Sequence, residues 1–240
     1  MIERQSLART TTAHLLPGCL ALAFYVPAGR LAAWLGLPPP FALFLTMLVV
    51  LVPCEVAVLL RARKNVSRSA ASAPVIPYRQ RLSALEYALL VPPLLAWAFF
   101  CFFVVGPREE QLAAGLVSPS VAGWLRSGAP SGVFPRSAWI ATMLFGLVVN
   151  GLAVPVVEEL YFRGNLLPRI PLSSRWSPLL NAALFSLYHL FSPWQNLTRT
   201  AAVAPIAYAV SWKRSVYVGI ATHCLLNTIP MTLGLVALLR

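Results

Sequence analysis

Apolar residues come in runs of span length, separated by shorter polar or basic stretches, from Leu15 almost to the C-terminus. Lipid offers the backbone no hydrogen-bond partners, so an apolar run of about 20 residues reads as a membrane helix. Seven runs are expected to span, near 15–36, 41–60, 85–106, 138–160, 177–194, 200–212 and 215–239. The sixth is short and is expected to tilt or to shelter among its neighbours. Pro17, Pro27, Pro53, Pro92, Pro93, Pro155 and Pro205 fall inside the runs, where bundled membrane helices tolerate the kinks they cause. The run from Leu15 to about Gly36 has no clean small-residue cleavage site, so it reads as a retained first helix rather than a signal peptide. The stretch Leu112–Leu125 is apolar but short, and Pro119 interrupts it. It reads as an interfacial or re-entrant segment, or as an eighth span. The expected fold class is all-α: a polytopic transmembrane helical bundle of seven to eight spans, one membrane domain over 1–240.

Composition supports that pattern. The 240 residues are 58% hydrophobic and 11% charged, against about 25% charged in soluble domains, and the mean hydropathy is +0.73. The net charge of +12 raises the question of nucleic acid, but membrane proteins collect Lys and Arg in cytoplasmic loops. With the N-terminus inside, the inner-side basic residues are Arg4, Arg9, Arg61, Arg63, Lys64, Arg68, Arg79, Arg81, Arg163, Arg169, Arg175, Lys213 and Arg214, thirteen of nineteen. That asymmetry predicts a multi-pass protein of the cell (inner) membrane, N-terminus cytoplasmic, C-terminus and the 107–137 loop outside. The lipid bilayer is its expected environment, and no nucleic-acid partner is expected. Cys19, Cys54, Cys101 and Cys224 sit in separate runs without CxxC spacing, which argues against a disulfide framework or zinc ribbon.

Ionisable groups inside spans cost about 2.5–3.5 kcal/mol each on insertion scales, so they are candidates for function. They cluster late, in the motif-bearing core at about 138–239: Glu158, Glu159, Arg163, His189 and His223, with Asn227 as a polar companion. His14 falls outside the expected spans and receives no role. Adjacent helical residues point about 100° apart, so Glu158 and Glu159 face different surroundings. Glu159 and Arg163 are four apart, the spacing of an ion pair on one face. Glu158 is then the freer carboxylate; a carboxylate held away from water binds its proton more tightly, as a general base near neutral pH requires. A plain charge cluster at a helix end is the alternative. His223 and Asn227 are also four apart and share a face, either as site groups or as helix–helix glue. His189 alone reads equally as a packing histidine. Measured from an inner boundary near Arg163, Arg175 and Arg214, the helical rise puts Glu158 about 8 Å deep, His223 about 13 Å and His189 about 20 Å. One shared cavity in the inner half of the bilayer is compatible with those depths.

Three motifs carry a resemblance. Glu158-Glu159-x-x-x-Arg163, Phe185-x-x-x-His189 and His223-x-x-x-Asn227 stand in this order on separate runs. They resemble the EExxxR, FxxxH and HxxxN motifs of the CPBP intramembrane proteases, the family of CAAX prenyl endopeptidases and of bacteriocin-processing or immunity-related bacterial members. The likeness covers about residues 150–230. It implies hydrolysis of a peptide bond in a membrane-anchored or lipidated substrate without a cofactor: Glu158 and His189 activate a water, His223 and Asn227 stabilise the oxyanion, Glu159 and Arg163 hold the helix end, and Phe185 supports the site. Members commonly have eight membrane helices, one more than the runs counted here. A zinc-dependent version, with Glu158, His189 and His223 as ligands and a fourth position open, is the metal alternative. Other readings are a catalytically silent scaffold or immunity protein of the same fold, and a proton-relay transporter, against which the absence of paired broken halves weighs.

Overall fold

A computed structural model describes residues 4–67, 74–116 and 134–240. The described residues form seven helices: α1 Leu7–Trp34, α2 Pro39–Lys64, α3 Ala84–Ala113, α4 Arg136–Arg169, α5 Ser177–Tyr188, α6 Asn196–Lys213 and α7 Val216–Leu239. Five of them, α1–α4 and α7, are long and apolar enough to cross a membrane. No more than 33% of the apolar window of any of the five is buried. Leu89, Phe103, Val148, Trp212 and Leu233 are among the large apolar residues left outside. A helix that buries so little of so much apolar surface needs lipid around it. The chain is a multi-pass membrane protein by this measure.

Two expectations change. The fifth run, expected over 177–194, is helical only to Tyr188, because His189 leaves helical geometry (φ −79°, ψ 56°). Twelve residues rise about 18 Å, short of a hydrocarbon core of about 30 Å. α6, with 18 residues and Arg199 within it, also falls outside the five. Among the described residues five helices, rather than seven or eight, are thus long and apolar enough to span. Most of the stretch Leu112–Leu125 lies outside the described residues, and its first residues, to Leu116, are helical and follow on directly from α3. His14, expected outside the spans, is buried inside α1, which starts eight residues earlier than the apolar run because Ser6 caps it by accepting from the Arg9 N–H at 3.2 Å.

Contacts between helix ends fix the direction of the chain. At one end, Gln5 N–H donates to the Arg169 carbonyl (2.9 Å), Gln80 N–H to Arg214 (2.9 Å) and Val216 N–H to Tyr78 (3.0 Å). At the other, both oxygens of Glu109 accept from the first N–H groups of α6, and Arg136 donates to the Leu238 carbonyl. The starts of α1, α3 and α7 thus meet the ends of α4 and α6, so α3 and α7 run one way through the bundle and α4 and α6 the other.

The core draws on all seven helices, and its aromatic part, Phe44, Tyr161, Phe162, Phe185 and Tyr188, comes from α2, α4 and α5. α1 passes close to the end of α5 at Gly18, where a Cβ would collide with the Tyr188 carbonyl oxygen. α4 is irregular where it matters. Its backbone widens into π turns at Val149–Ala153, before Pro155, and again at Glu159–Leu166. Pro155 cannot donate to the preceding turn, and the first widening falls on the residues it leaves unpartnered. π turns re-aim the side chains that follow.

Candidate active site

α4 carries the two carboxylates into the bundle at the junction of an α turn and a π turn. Glu158, Glu159 and Arg163 are all buried, none more than 3% exposed. Arg163 Nη1 lies 3.1 Å from Glu159 Oε1. That nitrogen makes no aligned hydrogen bond, so the contact is Coulombic rather than directional. The guanidinium also lies 3.8 Å from the centre of the Phe185 ring, which gives the first residue of the second motif a contact role. The four-residue spacing thus yields the expected ion pair.

Glu158 points elsewhere. Its Oε1 accepts from the Tyr188 hydroxyl at 2.9 Å, and its Oε2 lies 3.8 Å from His223 Nε2. His223 Nδ1 faces Glu159 Oε1 at 3.1 Å, so one imidazole bridges both carboxylates. Gly219, one turn before His223, makes room for this: a Cβ there would meet Glu159 Oε2. Asn227, one turn further on, donates from Nδ2 to the backbone carbonyl of Asn150 at 2.9 Å, in the first π turn of α4.

His189 caps α5. Its Nδ1 lies 2.8 Å from the Phe185 carbonyl. A carbonyl only accepts, so Nδ1 carries the hydrogen and Nε2 is left with a free lone pair. The ring packs edge-on against Phe185 and Tyr188. Among the described residues no hydrogen bond joins His189 to Glu158. The two instead line one cavity of about 320 Å³, together with His223, Asn227 and Phe185. All four expected site residues therefore face one space, which Leu43, Met47 and phenylalanines of α3 also line.

Three residues of this region were not expected. Glu55 of α2 is fully buried, and Tyr188 reaches its Oε1 at 3.2 Å while reaching Glu158 at 2.9 Å. A phenol has one hydrogen, so the two carboxylates share it. Glu55 is an ionisable group inside an apolar run, the same signal that drew attention to Glu158. Tyr188, next to His189, gave no signal of its own. Arg199 of α6, 7% exposed, lines the cavity; it falls between the fifth and sixth apolar runs, where a basic residue draws no notice. His14 is satisfied away from the site, with Nδ1 on the Thr10 carbonyl (2.7 Å) and Nε2 by the Asn181 amide (3.0 Å).

The zinc alternative needs Glu158, His189 and His223 to converge on a point. Among the described residues no three His, Cys, Asp or Glu side chains are gathered so as to hold a metal ion, so this donor set does not fit one.

Residues 141–229 match the family profile described as Rce1-like, type II CAAX prenyl endopeptidase Rce1-like. The matched segment contains all three motifs. No curated protein matches the chain, and no solved structure does.

Proposed function

We propose that this chain, whose residues 141–229 match the Rce1-like type II CAAX prenyl endopeptidase profile, is an intramembrane endopeptidase that hydrolyses a peptide bond in a membrane-anchored or lipidated substrate. The observation that carries this reading is the shared cavity: the Glu158 carboxylate and the hydrogen-free Nε2 of His189 face the same space. Both are acceptors, as two groups that position one water and draw off its proton must be.

In the proposed reaction the water oxygen attacks the scissile carbonyl carbon, and its proton passes to Glu158 or His189. The carbonyl oxygen becomes an oxyanion. The donors nearest to hand are the second Nδ2 hydrogen of Asn227 and, in its doubly protonated form, His223 Nε2. Fixed donors aimed at developing charge are the largest contribution in much acyl-transfer catalysis. Collapse of the tetrahedral intermediate breaks the C–N bond, and the held proton goes to the leaving amine. Glu159 and Arg163 act through His223 and Phe185: the ion pair fixes the end of the π turn, and Glu159 holds Nδ1 of His223. The apolar wall leaves room for the hydrocarbon-soluble part of a substrate. The N-terminus is assigned to the cytoplasm, since the helix ends that meet at Gln5, Tyr78, Arg169 and Arg214 carry most of the basic residues.

The test is cleavage of a lipid-anchored reporter in membranes by Glu158→Ala and His189→Ala. Each is expected to lose about 10²–10⁴-fold in rate, the usual contribution of general acid–base groups. Unchanged processing by both variants sinks the assignment.

A further inference from the structure

A second charged group faces the cavity. Arg199 stands in the first turn of α6 and is buried. Its Nη2 donates to Ser192 Oγ at 2.7 Å and its Nη1 to the Ser186 carbonyl at 3.3 Å. Both partners are neutral. Among the described residues no carboxylate lies within ion-pair distance of Arg199. The acids at this end of the bundle are committed. Glu109 accepts from Leu197 N–H (2.7 Å) and Thr198 N–H (2.6 Å), one on each oxygen, and Glu110 accepts from the Gln195 amide at 2.6 Å. Arg163 is the contrast, equally buried but facing Glu159.

Glu109 and Glu158 act on Arg199 only from beyond ion-pair distance; a buried charge whose direct partners are all neutral is costly, and a guanidinium has five N–H donors in a planar fork, of which two are used here. The neighbouring wall is apolar, with Phe99, Phe102 and Phe103 among its side chains. The one carboxylate of the cavity, Glu158, is taken up by Tyr188 and His223. We infer that Arg199 is the anion subsite of this cavity and binds a carboxylate of the substrate peptide, seating the bond to be cut over Glu158 and His189. The inference rests on the reading of the cavity as a substrate site. A carboxylate matches the fork in two parallel hydrogen bonds, and its single charge balances one guanidinium. A dianionic phosphate leaves a charge over, in a space that already holds Glu158. The cavity, about 320 Å³, is at the lower end of the roughly 300–1,000 Å³ of small-molecule sites. It admits a short stretch of peptide, not a folded domain. The carboxylate is either the α-carboxylate of a chain end or an Asp or Glu side chain close to the scissile bond.

The experiment measures binding of an N-palmitoylated, fluorophore-labelled pentapeptide to the full chain in nanodiscs. Three forms are compared: the free acid, the C-terminal amide, and the amide with an internal Glu. Binding is read in a Glu158→Gln background, where no cleavage is expected to intervene. The acid is expected to bind about 10-fold or more tightly than the plain amide, as one charged hydrogen bond provides. That preference is expected to vanish in Arg199→Gln and to survive in part in Arg199→Lys. Recovery of affinity by the internal Glu assigns the side-chain source; its failure assigns the chain end. Equal binding of acid and amide, or a preference that persists in Arg199→Gln, overturns the inference. So does a lower Tm for Arg199→Gln with acid and amide weakened alike, which is the signature of a staple between Ser186 and Ser192; an anion receptor keeps or raises the Tm of the free protein. The protease reading stands or falls separately. An acid preference that depends on Arg199, in a chain that cuts no reporter, retires proteolysis and keeps the subsite. Cleavage of acid and amide reporters with equal kcat/KM keeps proteolysis and retires the subsite.

Discussion

Glu158 and Glu159 are neighbours in the chain with different partners: Tyr188 and the edge of His223 for one, Arg163 and His223 Nδ1 for the other. The site is a chain of such paired contacts, and Tyr188 is the link that joins it to α2. Tyr188→Phe removes the hydroxyl that serves two buried carboxylates. A buried acceptor left without its donor costs about 1–3 kcal/mol, so the variant is expected to melt earlier in detergent and to cut more slowly. An unchanged Tm and rate would show that neither carboxylate depends on the phenol. The Glu159–Arg163 pair was legible because a spacing of four on a helix has one geometric meaning. The partnership of Glu158 with Tyr188 was not, since it joins α4 to the last residue of α5, thirty positions away, and a tyrosine in an apolar run has many uses. Glu55 was legible in principle, being a charge inside an apolar run, but stands in no motif that singles it out; Arg199 falls between two runs and gave no such signal. The shared cavity of Glu158, His189, His223 and Asn227 was compatible with the depths of the motifs, which did not by themselves require it. The committed state of His223, between two carboxylates, was not legible.

At the scale of elements, hydropathy located the helices and misplaced several of their ends: α1 starts eight residues before its run, α4 continues to Arg169, and α5 stops short. Leu190 and Phe191 continue the apolar run of α5, yet the backbone turns at His189. Apolarity reports what surrounds a segment, not its dihedral angles. The early stop is what frees the ring of His189 to cap α5 and enter the cavity. The π turns of α4 were equally invisible, because nothing in the sequence but Pro155 marks them. The approach of α1 to α5 at Gly18 holds the Tyr188 carbonyl in place. Gly18→Val forces the two helices apart, and overpacking of this kind costs about 1–3 kcal/mol. The expected outcome is a lower Tm together with slower cleavage, because Tyr188 and His189 move with the end of α5. A variant as stable and active as the parent would show that α1 does not brace the site.

For the whole molecule, the contacts at the helix ends build a bundle whose basic residues gather at one end: Arg4, Arg79, Arg169, Lys213 and Arg214 lie on or beside segments that meet there. In a cysteine-free background, Arg81→Cys is expected to be labelled by an impermeant thiol reagent only from the cytoplasmic side and Arg108→Cys only from the opposite side. Labelling of both from one side would contradict the crossing of α3. The asymmetry of charge was readable in the sequence; which helix ends meet was not, because it depends on contacts such as Glu109 with the start of α6. The central claim is that the cavity cuts peptide bonds with Glu158 as its base. It is tested most directly by the turnover of a lipid-anchored reporter by purified wild-type protein and Glu158→Gln in proteoliposomes. The expected result is cleavage by the wild type and a loss of about 100-fold or more in a Glu158→Gln protein of unchanged Tm. Equal rates from the two folded proteins would contradict it.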